Sequence, residues 1–156
     1  MRDRRFVAVH RGGPLAAAKH RLLAAWAADC AERLLPLFED YSPDDQPRRA
    51  VETARAWARG EASVGECQKA AVAAHAAARG ATSASATAAA RAAGHAVATA
   101  HMADHSLGPV IYGLKAVEAA GGSIVNEQVW QLDHLPDEVR ELVISALQRR
   151  LIKHGT

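Results

Sequence analysis

Apolar side chains recur along this chain at the three- and four-residue spacing of helices. Leu22, Leu23, Trp26, Cys30, Leu34 and Leu37 share one helical face, which predicts a first helix from Pro14, after the Gly12-Gly13 turn, to about Glu39. Pro36 is expected to kink its last turns. Ser42 to Pro47 reads as a turn that leads into a second helix over about Arg48–Arg59, stopped by Gly60. Ser63 and Glu66 have the spacing of a capping box, which opens a third helix through about Arg79. Ser83 or Ser85 caps a fourth, expected to run through His95 to His105.

Gly108-Pro109 then interrupts, and Val110 to Ala120 resumes on a new axis. A brief helix over Asn126 to Leu132 and a final one opening at Pro136-Asp137-Glu138 complete the order. The expected fold is all-α: a single compact, Ala-rich bundle of about six to seven helices. Residues 1–13 are expected to form a flexible N-terminal segment and residues 14–156 one helical domain. Trp26, Leu22, Leu34, Val97, Leu107, Leu142 and Leu147 are its expected buried positions.

Composition sharpens that picture. About a quarter of the 156 residues are alanine and only seven are aromatic, so helices must approach closely to bury enough apolar surface. The net charge of +2 is mild, and the basic residues fall into short groups: Arg2, Arg4 and Arg5; Arg48 and Arg49; Arg149, Arg150 and Lys153. Each lies near a terminus or a helix end, where solvation accounts for it, and no aromatic residues interleave with them, so no nucleic-acid partner is expected. No apolar run is long enough for a membrane span or a signal peptide, which makes a soluble cytoplasmic protein the expectation. Cys30 and Cys67 have neither metal-site nor disulfide-framework spacing, and two free buried thiols are expected.

The candidate chemistry lies in one stretch. Residues 67–117 carry five charged side chains, of which Asp104 is the sole acid, and four of the eight histidines: His75, His95, His101 and His105. In a helix apolar on nearly all sides, such polar groups must be paired or functional. His101 and His105, four apart on one expected helix, share a face with Asp104 beside them. Asp29 lies seven residues after Leu22 and three after Trp26, on the apolar face of the first helix, where it can meet a histidine and orient it for proton transfer. Asp29, His101, Asp104 and His105 are therefore the candidate catalytic residues, with Trp26, His75, His95 and Tyr112 lining a substrate cavity. A buried His–Asp pair that only fastens two helices is the equally simple alternative. His-x-x-x-His could offer two metal ligands, but Met102 stands where a zinc-protease motif has glutamate, so no metal is assigned. No glycine-rich phosphate loop occurs, and no cofactor is expected.

Several segments carry a resemblance. They are Trp26-Ala27-Ala28-Asp29-Cys30-Ala31-Glu32, Leu35-Pro36-Leu37-Phe38-Glu39, Pro47-Arg48-Arg49-Ala50, Ala56-Trp57-Ala58-Arg59-Gly60, Ala93-Gly94-His95 and His101-Met102-Ala103-Asp104-His105. Over about residues 15–150 the chain resembles a family of small, all-helical bacterial proteins classed as putative immunity proteins. That resemblance implies a protein that neutralises a toxin of its own or a neighbouring cell. The inward-facing polar residues point elsewhere, to a cofactor-independent acid/base enzyme acting next to a carbonyl by elimination of water, conjugate addition or cyclisation, as a lyase or cyclase of bacterial secondary metabolism would. The expected partner is accordingly a small apolar carbonyl-containing molecule or a protein toxin, with a homodimer as a further candidate. A structural or metal-binding helical protein is the third reading.

Overall fold

The computed structural model describes residues 2–154, with side chains through residue 150. Eight α-helices follow one another among them: α1 (Ala17–Glu32), α2 (Leu35–Glu39), α3 (Gln46–Ala58), α4 (Val64–Arg79), α5 (Ala84–Ala98), α6 (Gly108–Ala119), α7 (Ile124–Asp133) and α8 (Asp137–His154). The only extended pairing among the described residues is an isolated bridge between Ala8 and Leu15. The all-α expectation therefore holds. The helix count rises because the expected first helix is two. Pro36 has no N–H to donate and its ring excludes the carbonyl four residues earlier, that of Glu32, which is where α1 ends.

Local capping follows the sequence closely. The Ser63 hydroxyl accepts from the Glu66 N–H (3.1 Å) while the Glu66 carboxylate accepts from the Ser63 N–H (3.3 Å). Ser83, rather than Ser85, caps α5.

The fourth helix departs from expectation. It stops at Ala98, and the chain turns before a 3-10 segment over Ala103–Leu107. The His20 ring N–H donates to the Thr99 carbonyl at 2.6 Å, taking an acceptor that a continuing helix would use. Pro109, in the first turn of α6, then fits a helix start and no helix interior. His101 and His105 consequently do not share an α-helical face.

The interior has two parts. α5 runs through the first, with Ala86, Ala88–Ala90, Ala92, Ala93, Gly94 and Ala96–Ala98 all buried, so that α1, α2, α3, α4 and α6 can each approach its backbone. The second holds the bulk: Phe6, Leu15, Leu23, Trp26, Cys30, Leu107, Val110, Leu135, Val139 and Val143. Of the expected core, Trp26, Leu34, Val97 and Leu107 are buried, whereas Leu22, Leu142 and Leu147 are half-exposed at the edges. Residues 4–6 and 9–11 form 3-10 turns, and Phe6, only 1% exposed, anchors the first of them in the second core. Gly13 makes that anchoring possible, since a Cβ there would lie 2.1 Å from the Val7 carbonyl oxygen. No described helix is long and apolar enough to cross a membrane.

Candidate functional site

Four imidazoles and one phenol meet where α4, α5, the 3-10 segment and α6 converge. His95 on α5 stacks on Tyr112 of α6, with ring centroids 5.2 Å apart and planes 20° apart. His75 of α4 stands edge-on to His95 (5.2 Å), His105 lies 5.3 Å from His95, and His101 lies 5.3 Å from His105. The Nδ1 atoms of His95 and His105 are 3.2 Å apart, so one ring donates to the other.

Two glycines make room for this group. A Cβ on Gly94 would fall 2.7 Å from the His75 ring, and one on Gly108 would fall 2.5 Å from Cβ and Cγ of His95. A glycine inside an alanine-rich helix costs about 1 kcal/mol relative to alanine, so Gly94 is a local sacrifice that admits an imidazole.

The surroundings keep these rings neutral. Burial pushes the His95 pKa down to about 4, reinforced by the neighbouring His105. Burial also lowers His105, although Asp104 opposes it, and lowers His75 together with Arg91 and Arg79. His101 is lowered by burial, then by Arg11 and Arg2. The Nδ1 atoms of His75 and His101 are buried without a hydrogen-bond partner.

His95, His105, Asp104 and Tyr112 open onto one cleft of about 310 Å³, edged by Arg2, Lys115 and Arg150. The other candidates lie elsewhere. Asp29 does not meet a histidine: its carboxylate accepts from Arg55 of α3 at 2.6 Å, and Arg55 also pairs with Glu32. Its helix face is the one that borders α3, where a guanidinium from that helix reaches it. Asp104 pairs with Arg2 at 3.2 Å and makes no hydrogen bond to an imidazole. Trp26 is 1% exposed and donates its indole N–H to the Gln131 carbonyl (3.0 Å), so it belongs to the core and lines no cleft. His75 supports the cleft from behind without lining it, and His101 opens onto a neighbouring recess beside Met102, Arg11 and His20.

Among the described residues no three His, Cys, Asp or Glu side chains converge as a ligand set. Protein purified without chelator is accordingly expected to carry well under one zinc, iron or manganese ion per chain. One tightly held ion by elemental analysis would overturn that and make His95 and His105 its first candidates. Cys30 and Cys67 are both free and buried, and burial pushes both thiols up, Cys67 to about 11. Neither is placed to act as a nucleophile.

What the cleft offers chemically is two imidazoles held neutral by burial, a phenol and the Arg2-paired Asp104 carboxylate, with further cations at its edge. His105 and Asp104 both open onto it, but the described hydrogen bonds of Asp104 and Asp29 go to Arg2 and Arg55 and not to an imidazole. No curated protein and no solved structure matches the chain significantly. The family model described as Imm-5 like putative immunity protein matches residues 13–138, which includes α1 to α7 and every residue of the histidine group, and the chain belongs to that family.

Proposed function

We propose that this protein neutralises a toxin of its own or a neighbouring cell by binding it. Membership of the immunity-protein family over residues 13–138 carries the reading. The cleft is consistent with binding more than with turnover. Its imidazoles are held neutral by burial, and neither Asp29 nor Asp104 bonds to one of them. A general base works best with a pKa near the operating pH, and His95 lies well below it.

The test is co-expression with each candidate toxin domain encoded near the gene. One of them should lose its growth arrest and elute with this chain as a complex. If none is neutralised, the reading fails.

A second reading, acid/base chemistry on a small carbonyl-containing molecule, is favoured by one observation: His95, His105 and Tyr112 meet at a 310 Å³ cleft. It requires a turnover that His105→Ala lowers by about two to four orders of magnitude with the fold intact. Equal rates in the variant and the parent would end it.

A further inference from the structure

The two basic groups at opposite ends of the sequence come together in space. Phe6 seats the N-terminal turn in the second core, beside α8. The Arg5 guanidinium donates to the Ser145 hydroxyl at 2.6 Å, and Asp3 reaches both Arg5 (2.7 Å) and Arg149 (3.4 Å). A groove of about 780 Å³ results, and it shares Arg2, Asp104 and Arg150 with the histidine cleft. Six cations (Arg2, Arg4, Arg5, Lys115, Arg149 and Arg150) line the two against only Asp3 and Asp104. With a net charge of +2 for the whole chain, the rest of the molecule is left net acidic. The Lys153 side chain lies outside the described residues.

We propose that this basic groove receives an acidic, Asp- or Glu-rich segment of a partner protein; the identification of that partner as a toxin rests on the function proposed above. Charge complementarity carries the assignment. Asp3 and Asp104 engage Arg5, Arg149 and Arg2, while among the described residues Arg4, Lys115 and Arg150 form no ion pair. Three cations outside those ion pairs, in a lining that also holds two Arg-paired carboxylates, suit side-chain acids, whose spacing can avoid the carboxylates. A phosphate backbone would meet the two carboxylates and an interrupted stripe. Nor is a stacking platform on offer, since Tyr112 has His95 against its ring and the Lys115 ammonium 5.2 Å from its centroid. The same logic selects among toxins. A toxin that works through a basic nucleic-acid channel would be repelled here, so the surface this protein covers is acidic.

The probe is a fluorescein-labelled peptide of alternating Glu and Ala, titrated into the full chain and compared with single-stranded RNA of equal charge. The peptide should bind at about 0.15 M salt and weaken at about 1 M. The triple variant Arg4→Glu, Lys115→Glu, Arg150→Glu should lose at least about tenfold in affinity. A charge-matched control on other surfaces, Arg59→Glu, Lys69→Glu, Arg79→Glu, should stay within about twofold, with circular dichroism showing both folded. Equal losses in the two triples, or RNA that binds more tightly than the peptide and is lost in the groove variant, would overturn the proposal. In the growth assay, a groove variant that still neutralises the toxin overturns the groove and leaves toxin binding standing. Groove-dependent peptide binding with no toxin neutralised supports the groove and removes the proposed function.

Discussion

Acidification from about pH 7 to about pH 4 is expected to cost this fold several kcal/mol, with the loss beginning near pH 6.5. Five histidines have lowered pKa values: His20, His75, His95, His101 and His105. Burial is the first cause at each. In the unfolded chain the same rings titrate near their ordinary value of about 6.5. Below that pH the unfolded state binds more protons than the folded one, so stability falls as pH falls. It is fully present above the unfolded value and continues to drop until the folded pKa is passed, about 4 for His95. His95 alone then accounts for about 2–3 kcal/mol, and the others add to it with coupling, because protonating His95 disfavours protonating His105. Urea melts at several pH values should show the slope, and His95→Gln should flatten it. A stability that is level between pH 7 and 4.5 would refute this account of neutral, buried imidazoles.

The legible parts of the fold were those written in local chemistry. Ser63 with Glu66, Ser83, Gly60 and Pro136 each act within a few residues, and each marks a boundary in the structure. The density of alanine in α4 and α5 made close packing readable as well. What escaped was set by contacts between distant residues. α5 ends where it does partly because His20, seventy-nine positions earlier, takes the Thr99 carbonyl. Asp29 lies at the right spacing to be inward-facing, but α3 brings Arg55 to it, and periodicity carries no information about which neighbour a face meets.

The histidine group itself was legible as an excess of polar rings in an apolar stretch. Its arrangement was not, since His101 and His105 adjoin through a turn and a 3-10 segment rather than along a helix. A usable signal was present at Gly94, a residue that weakens an alanine-rich helix and therefore points to something bulky beside it. The basic groove was invisible for a simpler reason: Arg2 to Arg5 and Arg149 to Arg150 look like solvated ends until Phe6 is seen to dock.

Trp26→Ala is expected to be the most damaging single substitution in the core, at about 3–5 kcal/mol. The side chain is 1% exposed and is the largest in the second core, which it shares with Phe6, Leu107 and Val139. Alanine in its place leaves a cavity that the small neighbours Ala103 and Ala146 cannot fill. It also strands the Gln131 carbonyl, which accepts the indole N–H at 3.0 Å, beside a Gln131 Oε1 that is already buried without a partner. Trp26→Phe keeps most of the volume and loses that hydrogen bond, so it should cost about 1–3 kcal/mol. The consequence reaches function through packing. The second core holds the N-terminal turn on α8, and the groove exists only while Phe6 stays seated. Trp26→Ala should therefore weaken binding of an acidic partner before it unfolds α5, whose alanine packing lies in the other core. Hydrogen exchange resolved by segment would show it, with protection lost first in the N-terminal turn, α7 and α8. Uniform loss across all helices would mean that the two cores unfold as one unit, and a Trp26→Ala melt within about 1 kcal/mol of the parent would remove the central role given to this residue.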